Sequence, residues 1–333
     1  MMFRSLTTLL TGLLLVIAGP TTLAQGIPRE GSDAVPSEVE AMYTRGLAYL
    51  QKAQKADGSY EGTYGNEPGV VGFALMAFLA HGDDPNSGPY ADTIKSALNY
   101  ILSQQKANGY IGSSMYSHGF ATLSLAESYG MIDDPRVGLA LKKAVDLILT
   151  AQKNNPSGAW RYSPDANDAD TTVAGCQLVA LYAARNAGIP VPQKALDRGH
   201  AYMKSCQASS GAYGYTSGSS GRMTLTAIGT LTLALGKDRE SRAFKSGVRY
   251  LRNKIDYVED NYFHYYLYYM AQATFHSSEE MWNQWNSRNI RVLKASQSPD
   301  GHWASGGKSH AYSTSCSLLS LALNYRFLPI YEK

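Results

Sequence analysis

The sequence predicts an all-α fold of six stacked helical hairpins. Two observations carry that expectation: a short phrase that recurs at a fixed period, and a regular alternation between two kinds of helix. The phrase is "AQKADGSY" (Ala53 to Tyr60), "SQQKANGY" (Ser103 to Tyr110), "AQKNNPSGAW" (Ala151 to Trp160), "CQASSGAY" (Cys206 to Tyr213) and "SQSPDGHW" (Ser296 to Trp303). Each copy has a Gln, a Gly-containing turn and an aromatic ring. Gln54, Gln105, Gln152 and Gln207 recur about every fifty residues, and Gln297 follows after about twice that interval, as expected of a repeat architecture. A degenerate unit, "SGVRYLRNKIDYVEDNYFHYY", fills the gap, with Arg252 near the place of the missing Gln.

The helices before each Gln are amphipathic. In the second unit Ile94, Ala97, Leu98, Ile101 and Leu102 make one stripe, with Lys95, Asn99 and Ser103 between them, which is a helix with one wet face. The helices after each turn are different. "GVVGFALMAFLA", "HGFATLSLA", "VAGCQLVALYAA", "TLTAIGTLTLAL" and "STSCSLLSLAL" have almost no charge on any side and so must be buried all round. Each unit therefore pairs an outer helix with an inner one, and stacking buries what a lone hairpin cannot. The stack closes into a ring or stays an open superhelix. In either case the Gln phrase is structural. It sits where the outer helix ends and carbonyls lack partners, and its amide, its left-handed Gly and its ring hold the turn.

Composition bounds the remainder. The chain has 333 residues, 44% hydrophobic and 17% charged, enough for a large core. A net charge of +3 gives no footprint for nucleic acid or an acidic membrane. Arg4, the apolar run Leu6 to Ala18 and the small-residue site Thr22-Leu23-Ala24 read as a signal peptide over residues 1–24. A flexible segment (25–36) and the repeat domain (37–333) follow, which predicts a periplasmic or secreted protein with no transmembrane segment once the leader is removed. Cys176, Cys206 and Cys316 form no CxxC pair. Cys176 and Cys316 lie in apolar helical runs, so no zinc site and no disulfide framework is expected.

The Gln–Gly–aromatic phrase resembles the QW repeat of squalene–hopene cyclases and the repeats of protein prenyltransferase β subunits. The likeness spans about Ser37 to Lys333. It is closest to exported bacterial proteins with prenyltransferase and squalene-oxidase repeats, through "DADTTVAGCQLVALYAARNAG", "WNSRNIRVLKASQSPDGHW" and "YSTSCSLLSLALNYRFLPIY". The resemblance implies a closed α/α toroid of six inner and six outer helices around a central cavity.

Aligned on their cores, the inner helices begin near Glu67, Ser114, Asp170, Arg222 and His310, with Asp260 to His264 supplying the degenerate unit. One mouth of a ring is the natural place for a site. "DADTT" resembles the DxDD motif of the cyclases, which would make Asp170 the proton donor with Asp168 beside it, although Thr171 replaces the last Asp. The bland reading is that both cap the helix. In the zinc prenyltransferases a His falls where Ser313 stands, so cyclase-like isomerase chemistry is the closer enzymatic parallel. No cofactor and no metal is expected. The preferred reading is a ligand-binding mouth for a lipid, an isoprenoid or a glycan, lined by Tyr116, His118, Arg222, His264, Tyr265, His310 and Tyr312, with a polysaccharide-active enzyme as a further option.

Overall fold

The structure is a computed structural model and describes residues 35–304 and 306–331. The expected leader and nearly all of the segment 25–36 lie outside the described residues. Twelve helices follow in order: α1 (Ser37–Ala53), α2 (Pro68–His81), α3 (Ala91–Ser103), α4 (Met115–Ser128), α5 (Arg136–Asn154), α6 (Thr171–Asn186), α7 (Gln193–Ser205), α8 (Met223–Leu235), α9 (Arg242–Asn253), α10 (Phe263–Ser277), α11 (Glu279–Ser296) and α12 (His310–Leu321). Among the described residues the only β structure is isolated bridges, and no helix is long and apolar enough to cross a membrane.

The even-numbered helices are buried along nearly their whole length, and the odd-numbered ones on one face only. The inner helices pack in the cyclic order α2–α4–α6–α8–α10–α12 and back to α2, with α1 closing onto α11 and α12 outside them. The stack is thus a closed α/α toroid. The inner ring is tight because small residues stand where helices meet. A Cβ on Gly119 would lie 2.4 Å from Cys176 Sγ, and one on Gly175 would lie 2.0 Å from Ile228.

The Gln phrases join one repeat to the next. Each Gln amide nitrogen, Nε2, donates to the Gly carbonyl of its own turn and to a carbonyl of the following outer helix: Gln54 to Thr93, Gln105 to Ala140, Gln152 to Ala195 and Gln207 to Ala243. Gln297 does the same with Gly301 and, across the seam, with Met42, both at 2.9 Å. The Gln phrase is thus glue between neighbouring hairpins, as its repeated place at the end of each outer helix implies. Its second acceptor lies on the neighbour because the outer helices stand side by side with that carbonyl within reach. The degenerate unit solves the junction in reverse. Arg252 is exposed, and Arg288 of α11 reaches back to the Ile255 carbonyl at 3.0 Å. Gln152→Ala leaves a neighbour's carbonyl and a turn carbonyl short of a donor. It is expected to lower stability by about 1–3 kcal/mol, read by urea denaturation.

The two ends of the ring differ. After α12 the chain makes a 3₁₀ turn at Ala322–Asn324 and another at Pro329–Tyr331. The second packs on α6, the helix opposite α12 in the ring. The Ile330 amide donates to buried Glu127 at 3.3 Å. The C-terminal segment therefore crosses the end of the toroid where the inner helices finish. The other end, where they begin, is the mouth.

Candidate functional site at the mouth of the ring

Glu67, Ser114, Asp170 and Arg222 are the N-cap residues of α2, α4, α6 and α8. They form part of one rim, which is laced from repeat to repeat. The Met115 amide donates to the Tyr162 carbonyl at 2.9 Å, Thr171 to Tyr215 at 2.8 Å, and Ser309 to Thr63 at 2.9 Å.

Asp170 is fully buried. Its Oδ1 accepts from the Thr172 amide at 2.8 Å and the Val173 amide at 2.9 Å, and also from the Thr172 hydroxyl. These bonds satisfy the first amides of α6 and complement its dipole. Oδ2 faces Arg161 Nε at 3.4 Å. Burial raises the Asp170 pKa, while the Thr172 hydroxyl, the two amides and Arg161 pull it back down. The Tyr116 hydroxyl donates to Thr172 Oγ1, so Tyr116, Thr172 and Asp170 form a short relay. Asp168 is exposed, and its carboxylate lies 3.1 Å from Arg161 Nη1. Both aspartates therefore converge on one guanidinium. That guanidinium also sits over the rings of Tyr162 and Tyr215, whose hydroxyls touch each other.

Below this rim the axis is filled. Phe120 of α4 meets Tyr265 (6.2 Å between ring centres) and Tyr268 (6.4 Å) of α10. These two helices stand opposite each other in the ring. Phe73 of α2 joins the layer, 4.3 Å from Phe120, 5.2 Å from Tyr268 and 6.4 Å from Tyr312. Phe73, Phe120 and Tyr268 are each the sixth residue of their helices. At the α-helical rise, the floor lies about 7 Å below the helix starts. The mouth is a shallow funnel. Burial pushes the Tyr116, Tyr265 and Tyr312 hydroxyls well above the usual phenol range, so they stay protonated, and that of Tyr116 donates to Thr172.

The remaining candidates sit elsewhere. His118 is fully buried, accepts from the Ile111 amide through Nδ1 and donates to the Ala144 carbonyl through Nε2, both at 3.1 Å. It ties a Gly turn to α5. His264 joins α10 to Ser317 of α12 and to the Ala304 carbonyl, each at 2.9 Å. Burial lowers both imidazoles to about 4. Arg222 is exposed and pairs its backbone with Tyr213. His310, the first residue of α12, lies against His302 outside the funnel. Thus Asp170, Asp168, Tyr116, Tyr265 and Tyr312 belong to the funnel, while His118, His264 and His310 do not line it.

Arg161, Tyr162, Tyr215 and Lys308 were not among the residues expected from the sequence, and Tyr262 entered only within the span Asp260 to His264. Tyr162, Tyr215 and Tyr262 are 45%, 37% and 55% exposed, and Lys308 Nζ stands 3.9 Å over the Tyr262 ring. A signal existed: Tyr162 and Tyr215 each stand two residues after the phrase aromatic, Trp160 or Tyr213. Among the described residues no three His, Cys, Asp or Glu side chains gather as a metal site would require.

No protein-family model matches the chain. Among curated proteins, lanosterol synthase from Mus musculus is 34% identical over 87 residues, which is 24% of this chain and 11% of that protein. The fold is shared with solved structures. An inactive variant of the α-1,6-mannanase GH76A of Salegentibacter sp. HEL1_6, in complex with α-1,6-mannotriose, superposes with a TM-score of 0.65 at 10% identity, covering 85% of this chain and 98% of that one. A variant of the type II terpene cyclase MstE from Scytonema, in complex with geranylgeranyl dihydroxybenzoate, gives 0.57 at 15% identity, covering 88% and 98%. A protein from Actinoplanes gives 0.60 at 14% identity, covering 86% and 99%.

Proposed function

We propose that the funnel binds a carbohydrate, and that the protein is an exported glycan-binding toroid. The observation that carries this reading is the aromatic layer that closes the axis beneath the rim. A cyclase fold-up of a polyprenyl chain needs a deep, dry chamber around its acid. Here Phe120 and Tyr268 meet across the axis instead. What is offered to a ligand is a set of tyrosine faces with hydroxyl tips. Such rings suit the apolar face of a sugar together with its hydroxyls. The mannanase, which holds a mannotriose on the same fold, supports the reading. So does the leader, which would place the protein among extracellular or periplasmic glycans.

Asp170 then acts as cap and as support for Arg161, holding the guanidinium over Tyr162 and Tyr215. Hydrolysis would require two carboxylates free to flank a bond, and Asp168 and Asp170 are both drawn onto Arg161. This favours binding over turnover. A second reading, acid-initiated cyclisation by Asp170, is favoured by its raised pKa and by the terpene cyclase likeness.

The test is titration of the purified chain with α-1,6-mannotriose and other oligosaccharides, followed by calorimetry, and incubation with squalene and polyprenyl alcohols. Tyr215→Ala is expected to weaken oligosaccharide binding tenfold or more, about 1.4 kcal/mol, with the thermal midpoint nearly unchanged because the ring is partly exposed. Cyclised product that Asp170→Asn abolishes would overturn the carbohydrate reading, since an amide still caps the helix but delivers no proton.

A further inference from the structure

One outer helix is unlike the rest. Each of the other five carries at least one Asp or Glu, while α9 carries none and holds Arg242, Lys245, Arg249 and Arg252. These four cations outnumber the net charge of +3 on the whole chain. The positive balance that composition spreads over the molecule is therefore gathered on one helix.

Helical geometry draws the four into a line. Their spacing of three, four and three residues keeps them within an arc of about 80° and along about 15 Å of axis. Phe244, Gly247 and Leu251 are the buried face of the helix, and all four basic residues are exposed. Lys245 meets Glu240 at 2.7 Å in a fully solvated pair. Arg242, Arg249 and Arg252 pair with no carboxylate among the described residues, and the nearby Asp238 and Asp256 face Lys204 and Arg288 instead.

The fold does not use these arginines either. At four junctions the carbonyl that accepts from a Gln amide stands twelve residues before the next Gln: Thr93 and Gln105, Ala140 and Gln152, Ala195 and Gln207, Met42 and Gln54. The same count from Ala243 ends on buried Ile255, whose carbonyl is served by Arg288. Arg252 thus stands beside the degenerate junction and takes no part in it.

We propose that the exposed stripe of α9 is a docking site for a linear acidic polysaccharide, a chain of uronic-acid units whose carboxylates meet the guanidinium groups one after another. The planar fork of Arg takes a carboxylate through two parallel bonds, which the ammonium of Lys does not. A line of charge one side chain wide suits a linear polymer. A flat anionic surface would also meet the exposed carboxylates of Asp197 on α7 and of Glu279 and Glu280 on α11. The expected leader would bring the chain among such polymers. The stripe lies on the outer belt, so the proposal does not depend on the funnel reading.

The experiment is calorimetric titration of the full chain with polygalacturonate, its methyl ester, polyglutamate and vesicles containing phosphatidylglycerol. Polygalacturonate is expected to bind at low salt at least tenfold more tightly than the uncharged ester, and to be released at about 0.5 M salt, where exposed charges are screened. Arg242→Gln, Arg249→Gln and Arg252→Gln are each expected to weaken it about two- to fivefold, and the triple variant tenfold or more. The thermal midpoint should hold, because these side chains are exposed and unpaired. A control with the same net charge, Lys95→Gln, Lys143→Gln and Lys153→Gln together, is expected to stay within twofold of the unaltered chain. No binding of polygalacturonate at low salt, equal binding of the ester, or an equal loss in the control would overturn the proposal. Tighter binding of polyglutamate or of the vesicles would also overturn it, by assigning the stripe to an acidic protein or a lipid surface.

Discussion

Gly301→Ala is expected to lower stability by about 2–5 kcal/mol, from the sum of a left-handed backbone penalty and an overpacked contact. Gly301 has φ +99°, and a Cβ there would lie 2.2 Å from the Arg45 carbonyl oxygen of α1. Neither atom can yield, since the oxygen is backbone of α1 and the Cβ is fixed to a turn held by the hydrogen bond from the Gly301 amide to the Ser298 carbonyl. The same turn carries Gln297, whose amide reaches Gly301 and Met42, so any shift of Gly301 also strains the bond that closes the ring. Thermal and urea denaturation would check the magnitude. A loss below about 1 kcal/mol would mean that the seam is loosely packed.

Acidification from pH 6.5 to pH 4 is the second large effect. His118 falls from 6.5 to about 4 on burial. The neutral ring suits its site, since Nδ1 must accept from the Ile111 amide while Nε2 donates to Ala144. A protonated ring would set a donor against a donor. In this window the unfolded chain binds the proton and the folded one does not, so stability is full above pH 6.5 and falls as pH drops towards 4. The shift corresponds to roughly 3 kcal/mol for His118. His264, also lowered to about 4 but less enclosed, adds a smaller amount of the same sign. Asp170 works the other way from its ordinary value of 3.8 upwards, because burial raises it. The carboxylates of Glu40 and Asp134, lowered by their partners from 4.5 and 3.8, begin to lose their contribution only at the acid end of this range and below it. Denaturation midpoints across this range would show the slope, and His118→Gln should flatten it.

The ring itself was legible in the sequence because its signals repeat. Five Gln phrases and five uncharged inner helices state the same pattern again and again. Asp170 was legible too, as a capping residue beside a motif-like phrase. Two things were not. The filled axis depends on ring diameter, which is set by contacts such as Gly119 on Cys176 and Gly175 on Ile228. A buried aromatic reads the same whether it faces an open bore or another ring. The rim residues Arg161, Tyr215 and Lys308 are single side chains on loops, with no period to reveal them. His118 and His264 looked like site residues because polar rings in an apolar run attract notice. Apart from the Ile111 amide, their partners (the Ala144 and Ala304 carbonyls and the Ser317 hydroxyl) come from distant parts of the chain.

The seam bond from Gln297 to Met42 joins residues 255 positions apart. A bond of that separation forms late, since the entropy of closing so long a loop has to be met before the contact rewards it. Until α11 and the last Gly turn exist, the growing chain is an arc with two raw apolar edges, one on α1 and α2, the other on whichever repeat was made last. Such edges invite association with other unfinished chains. A polypeptide of this design is therefore best kept unfolded until all six repeats are present together. Translocation across a membrane as an extended chain would impose that order of events.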